Sequence, residues 1–223
     1  MRLTTYSERR LNENILSRPA RMTYKANTIF YNRGEQAWKA YYLEKGLVKL
    51  SLISRDGNQR SPVYITAGSM FGEYGLVSNS YGATAIAVVD CEVVPFNKEQ
   101  FARLISEDFI FVQLCISSLV EKLQGVVEQY NAASFMDRFG KVANGLSCLA
   151  RRWGESVLLT GTDGDVTECL RLRITHQELA EFSGVTRTTV TTVLSALEAK
   201  KIIQKRAKEI IVLNLKELER WVM

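Results

Sequence analysis

The chain has 223 residues, 46% of them hydrophobic, enough for one large or two small buried cores. Four cysteines without a CxxC pair and a single histidine exclude a zinc ribbon and a three-histidine metal centre, and make Cys91, Cys115, Cys148 and Cys169 read as buried reduced thiols. The net charge of +5 is uneven: from Arg171 onward ten Lys/Arg stand against six Asp/Glu, and before it nineteen against eighteen, so the basic excess sits where a nucleic-acid partner would need it.

From the N-terminus, Met1-Arg2-Leu3-Thr4-Thr5-Tyr6 does not open a secretory signal, and no apolar run approaches the roughly 20 residues of a membrane span. A cytoplasmic protein without membrane contact is expected. Residues 24–96 read as short strands: Thr28-Ile29-Phe30-Tyr31, Ala40-Tyr41-Tyr42-Leu43, Leu47 to Ile53, Val63-Tyr64-Ile65, Ala83 to Val89 and Glu92 to Phe96. Turn segments such as Asn32-Arg33-Gly34, Glu44-Lys45-Gly46, Arg55-Asp56-Gly57-Asn58 and Ala67-Gly68-Ser69 separate them, which predicts an antiparallel sandwich or barrel. Within this region MFGEYGLVSNSYGATA, residues 70–85, offers glycines and a carboxylate of the kind that cradles a small ligand, but no cation.

From Asn97 the pattern turns helical, with one long helix predicted over residues 109–135. Val112, Ile116, Leu119, Leu123, Val126, Tyr130 and Ala133 step alternately by 4 and 3, a heptad seam sustained for three heptads. Cys115, Val120 and Val127 form a second ridge assigned to the barrel, which frees the seam to face a twin helix. A parallel homodimer on Val112, Ile116, Leu119, Leu123, Val126 and Tyr130 is therefore expected. A second helix follows over residues 138–152, then a loop at 161–165, then helices with a small hairpin.

Residues 176–197, HQELAEFSGVTRTTVTTVLSAL, carry the most specific pattern. Ala180 is small where two helices would cross, Gly184 stands where a sharp turn needs positive φ, and Val190 and Val193 would bury the second helix against the first. Thr175 with Glu178 makes a capping box, and Thr186 can cap the second helix. Such a helix-turn-helix presents the first turns of its second helix to the major groove. Arg187 suits guanine O6 and N7, and the threonines suit phosphates, bases and thymine methyls. Lys200, Lys201, Lys205, Arg206 and Lys208 flank a predicted strand pair, a wing with cations for phosphates. The DNA-binding candidates are Thr175, His176, Gln177, Thr186, Arg187, Thr188, Thr189, Thr191, Thr192, Lys205 and Arg206.

With these motifs in order, the chain resembles the Crp/Fnr superfamily of transcription regulators from about Tyr24 to Val222. The matching marks are Arg33-Gly34-Glu35, Leu43-Glu44-Lys45-Gly46, Phe71-Gly72-Glu73, Thr175 to Ala180 and Val185 to Val190. The resemblance implies an α+β protein: a cNMP-binding-like jelly-roll barrel, or double-stranded β-helix, over residues 1–106; a dimerisation helix, 107–136; and a winged helix-turn-helix, 137–223. It implies a homodimer that binds double-stranded DNA at a pseudo-palindromic promoter site and contacts RNA polymerase as an activator.

The resemblance also exposes departures. Gly72 and Glu73 match the pair that holds ribose in cyclic-nucleotide-binding members, but the phosphate-binding Arg-Ser pair falls on Tyr81 and Gly82, and the purine-contacting polar pair on Val126 and Val127. A buried phosphate without its cation faces desolvation of several kcal/mol, and each lost charged hydrogen bond forfeits about 1.5–3 kcal/mol. Cyclic AMP is therefore not expected as a cofactor. Gly72, Glu73, Tyr74, Tyr81, Gly82, Ala83, Val126, Val127 and Tyr130 would either surround an uncharged or aromatic effector or fill that space themselves. In the reading helix, Thr188 and Thr192 replace a glutamate and an arginine of well-known members, so the familiar half-site does not transfer. Two alternatives stay open: a haem- or thiol-based gas or redox sensor using Cys91, Cys115, Met22 or Met70, and a cupin-like metalloenzyme, which a barrel region without histidine disfavours.

Overall fold

The structure is a computed structural model that describes residues 20–160, 166–207 and 209–222. The expected loop at 161–165, the wing residue Lys208 and the N-terminal hexapeptide lie outside the described residues. The chain divides into two compact units, Met1–Val126 and Val127–Met223.

In the first unit the turn-punctuated segments form β1 (Met22–Tyr24), β2 (Ile29–Tyr31), β3 (Lys39–Lys45), β4 (Leu47–Ile53), β5 (Gln59–Thr66), β6 (Met70–Phe71), β7 (Thr84–Ala87) and β8 (Cys91–Asn97). They pair antiparallel into two four-stranded sheets, ordered β1-β8-β3-β6 and β2-β7-β4-β5. Side-chain alternation along each strand decides which residue faces which layer. Tyr41, Leu43 and Val93 of the first sheet point into a core shared with Tyr31, Val48, Ile65, Ala85 and Ala87 of the second. Their neighbours Ala40, Tyr42, Val94 and Phe96 point the other way, into a second cluster with Leu76, Phe111, Leu114 and Cys115.

That outer layer is helical. Asn97 caps α2 (Lys98–Glu107) through a complete capping box with Gln100, and α3 runs over Phe109–Phe135. Phe96 and Phe101 meet the Phe111 ring edge-on at 5.4 Å, anchoring the start of α3 on the sheet. Ser118 extends the contact: its hydroxyl donates to the Met70 carbonyl and accepts from the Met70 N–H, each at 3.0 Å.

The ridge of α3 that meets the barrel is thus Phe111, Cys115, Ser118 and Lys122, stepping 4, 3 and 4. The expected ridge of Cys115, Val120 and Val127 is corrected, because Val120 and Val127 are exposed at 45% and 57%. The step of five from Cys115 to Val120 turns about 140° away from the buried face, and the step of seven that follows keeps Val127 on the same outward side as Val120. The expectation that no apolar run approaches a membrane span is corrected too: α3, 27 residues long and containing an 18-residue stretch of mean hydropathy 1.5, is long and apolar enough to cross a membrane. Its buried contacts with β6 and β8 assign its first half to barrel packing instead.

In the second unit, Asp137 caps α4 (Arg138–Trp153) by accepting from the Gly140 N–H at 2.7 Å. Beyond it the structure differs from an all-helical region with one hairpin. β9 (Glu155–Thr160) and β10 (Val166–Leu172) join β11 (Ile203–Arg206) and β12 (Glu209–Val212) in a four-stranded antiparallel sheet, ordered β11-β12-β10-β9. Charged residues on β9 and β10, including Glu155 paired with Arg171, hide the strand pattern in the sequence. Between β10 and β11 lie α5 (His176–Ser183) and α6 (Arg187–Ala199), and α7 (Leu215–Arg220) closes the unit.

Candidate nucleic-acid interface and barrel pocket

Two local signals fix the α5–α6 pair. The Thr175 hydroxyl accepts from the Glu178 N–H at 3.2 Å while the Glu178 carboxylate accepts from the Thr175 N–H at 2.8 Å, so α5 starts at His176. Gly184 ends it with φ 67°, a left-handed conformation that costs a side-chain-bearing residue more, and its N–H donates to the Ala180 carbonyl at 2.8 Å. Thr186 then caps α6 by accepting from the Thr189 N–H at 3.2 Å. Val190, Val193, Leu194 and Leu197, the i, i+3, i+4, i+7 face, are completely buried.

With that face sealed, Arg187, Thr188, Thr191, Thr192 and Ser195 form an exposed face over the first turns of α6. Thr191 and Thr192 donate their hydroxyl hydrogens to the Arg187 and Thr188 carbonyls, each at 3.1 Å. Each of these threonines therefore has an oxygen that can only accept beside its methyl group, and the one cation on this face is Arg187. Thr186, Thr188 and Thr189 share hydroxyl hydrogen bonds of 2.8 and 2.9 Å at the helix start.

The flanking polar groups are held more tightly than sequence reasoning anticipates. Lys205 on β11 bonds Ser195 at 3.0 Å and Glu198 at 2.9 Å, and its own N–H donates to Glu198 at 2.8 Å. The Lys205 N–H and ammonium hold the Glu198 carboxyl below the usual carboxylate range. Arg206 faces Glu209 at 3.9 Å, and Gln177 donates to Glu181 at 3.2 Å. His176 bonds Thr191 across the helix pair at 3.0 Å. Thr175, His176, Gln177, Arg187, Lys205, Arg206 and Glu209 line one concavity of about 450 Å³. Ser195 and Glu198 are the contributors the motif does not reveal; their i+8 and i+11 spacing from Arg187 was the available signal.

In the first unit, Gly72 (φ 84°) turns the chain into α1 (Glu73–Ser78). A Cβ there would lie 3.1 Å from the Lys39 carbonyl, so the chain needs glycine to bring Glu73 inside. Glu73 is 6% exposed and forms an ion pair with Lys122 of α3. The Tyr81 ring stacks on Tyr31 with centroids 3.7 Å apart, and its hydroxyl donates to the Lys39 carbonyl at 2.7 Å. Burial and the nearby Glu73 charge push the Tyr31 phenol well above its usual range, so it stays protonated. Tyr31, Leu50, Gly72, Glu73, Tyr74, Gly75, Tyr81, Gly82, Ala83 and Lys122 line a cavity of about 170 Å³.

The pocket therefore has the cation that residues 70–85 lack, supplied from a distant stretch of sequence. Six expected lining residues, Gly72, Glu73, Tyr74, Tyr81, Gly82 and Ala83, meet there. Val126, Val127 and Tyr130 do not line it; they are 47%, 57% and 73% exposed on α3. The seam residues Ile116, Leu119 and Leu123 are likewise 56%, 48% and 63% exposed, while Val112 is half-buried. Burial pushes the Cys115 and Cys148 thiols up to about 12 and about 11, opposite to the low values of redox-reactive cysteines.

Residues 21–108 match the family model of the cyclic nucleotide-binding domain, and residues 140–221 that of the Crp-like helix-turn-helix domain. The cAMP-activated global transcriptional regulator CRP of Haemophilus influenzae is 28% identical over 191 residues, 85% of this chain and 82% of that protein. The chain belongs to the Crp/Fnr family. It is a DNA-binding transcription regulator of that family, and its relatives are regulators rather than enzymes. The α+β arrangement of jelly roll, long helix and helix-turn-helix is shared with solved Crp/Fnr folds. FixK2 of Bradyrhizobium japonicum aligns with a TM-score of 0.76 at 19% identity, over 92% of this chain and 98% of that one. The c-di-GMP responsive regulator CLP of Xanthomonas campestris aligns at 0.75 and 21%, over 90% and 96%. α6 is the second helix of the matched Crp-like helix-turn-helix, and Gly72, Glu73 and Tyr81 lie within the matched cyclic nucleotide-binding domain.

Proposed function

We propose that the protein is a homodimeric, cytoplasmic transcription activator that reads a pseudo-palindromic promoter site with α6, contacts RNA polymerase, and works without cyclic AMP. Barrel (1–106), dimerisation helix (107–136) and winged helix-turn-helix (137–223) are its working parts. The observation that carries the DNA reading is the face Arg187-Thr188-Thr191-Thr192, exposed at the capped start of a helix whose opposite face is completely buried. Dimerisation is supported by the heptad seam of α3, whose Ile116, Leu119, Leu123, Val126 and Tyr130 are about half exposed or more in the single chain. Apolar rows of that kind signal a partner surface. Activation and polymerase contact are carried from family membership.

Independence from cyclic AMP rests on the pocket's contents. Lys122 already neutralises the carboxylate that would meet a ribose, and Tyr81, onto which the resemblance puts the phosphate-binding arginine, carries no charge and stacks on Tyr31. The cavity volume of about 170 Å³ is below the roughly 300–1,000 Å³ usual for small-molecule sites. Genome-wide mapping of bound DNA tests the reading. It should return a palindromic motif carrying a guanine that Arg187→Ala no longer selects; uniform binding to all sequences would contradict it.

A further inference from the structure

The concavity between α5, α6 and the β11–β12 wing contains the chain's single histidine. Thr191 has one hydroxyl hydrogen, and the Arg187 carbonyl takes it at 3.1 Å. The 3.0 Å bond between Thr191 Oγ1 and His176 Nδ1 then has Nδ1–H as its donor. In neutral His176 the other ring nitrogen, Nε2, is left with a bare lone pair, which repels an anionic oxygen. Only the imidazolium, with hydrogens on both nitrogens, can keep Thr191 and also donate to an anion. The groups around it are Arg187 on α6, Lys205 and Arg206 on β11, Glu209 on β12, and Thr175 and Gln177 at the start of α5. Arg187, Lys205 and Arg206 stand against Glu209 and against Glu198, which pairs with Lys205 at 2.9 Å, so one cation is in excess and the notch, one side of which is the reading helix, seeks an anion.

We infer that this notch takes a backbone phosphate of duplex DNA, and that binding draws a proton onto His176. The inference rests on the DNA-binding reading and deepens it. In the free protein, burial and the charges of Lys205 and Arg187 hold the His176 imidazole below its usual range, so it is neutral near pH 7. A phosphate in the notch reverses that field and raises the value. The sign follows: the bound state holds more protons, so affinity rises as pH falls through the bound-state value and levels off below the free-state value. Each protomer contributes up to about tenfold per pH unit between the two.

Because the backbone contact is independent of sequence, the probe is a random-sequence duplex of about 30 base pairs, three helical turns. Fluorescence anisotropy at fixed ionic strength, from about pH 5.5 to 8.5, should show affinity increasing several-fold toward acid. His176→Gln should be flat and weak, and His176→Arg flat and tight. Independently of any variant, the proton NMR resonance of the lone histidine should titrate at higher pH in the complex than in the free protein. An unchanged or lower value in the complex, or a His176→Gln protein with the wild-type pH profile, overturns the inference while leaving the DNA reading intact. Absence of duplex binding at every pH would overturn both.

Discussion

The barrel pocket and the reading face occupy equivalent stations in a Crp/Fnr chain, one for a signal and one for DNA, yet their polar groups are deployed in opposite ways. In the pocket, Glu73 and Lys122 neutralise each other at 8% and 16% side-chain exposure, and Tyr81 spends its hydroxyl on Lys39. On α6, internal hydrogen bonds leave Arg187 and a row of threonine oxygens and methyls facing outward. A site that satisfies its own polar groups needs no ligand to be stable, whereas one that directs them outward gains by meeting a partner. The α3 seam, with its exposed apolar row, belongs with the reading face.

The contrast can be broken at several points. The largest effect is expected at the seam: Leu119→Lys with Leu123→Lys would bury four unpaired ammoniums in a dimer at a cost of several kcal/mol, and sedimentation should show monomers. A dimer that persists would place the interface elsewhere. In the pocket, Lys122→Met leaves Glu73 buried without its cation and should cost about 3 kcal/mol in urea unfolding, with Glu73→Met alongside it recovering most of the loss. A single-variant loss under about 0.5 kcal/mol would make the pair no more than a surface contact.

Smaller effects belong to the reading unit. Arg187→Ala should weaken binding to a mapped site by about 1–3 kcal/mol and relax one base position, measured by competition between single-base variants. Thr186→Ala removes the cap of α6 and should lower thermal stability by about 1 kcal/mol without altering base preference. If base preference shifted instead, the Thr186 hydroxyl would be a DNA contact as well as a cap.

What the sequence disclosed divides along the same line. The helix-turn-helix was legible residue by residue, because capping, turn and burial all act within about twenty positions and each demands a particular residue type. Six of the eight barrel strands among the described residues were legible from their turns; β1 and β6, of three and two residues, are too short to carry a strand pattern. The pocket was half legible: its loop, Gly72 to Ala83, is contiguous, but Lys122 arrives on a helix some fifty residues away, by a packing choice that residues 70–85 do not encode. The ridge Phe111, Cys115, Ser118, Lys122 has helical spacing, yet its serine and lysine interrupt the apolar pattern by which a buried face is recognised. β9 and β10 were missed for a similar reason, since their paired charges Glu155 and Arg171 hide the alternation that marks a strand.

The most direct test of an internally satisfied pocket in one unit and an outward-facing reading helix in the other is the affinity of the wild-type protein for a mapped operator, measured by anisotropy with and without cyclic AMP. The account predicts sequence-selective binding with the same dissociation constant in both conditions and no heat of cyclic AMP binding by calorimetry. Micromolar cyclic AMP binding that strengthens the complex with DNA would contradict it.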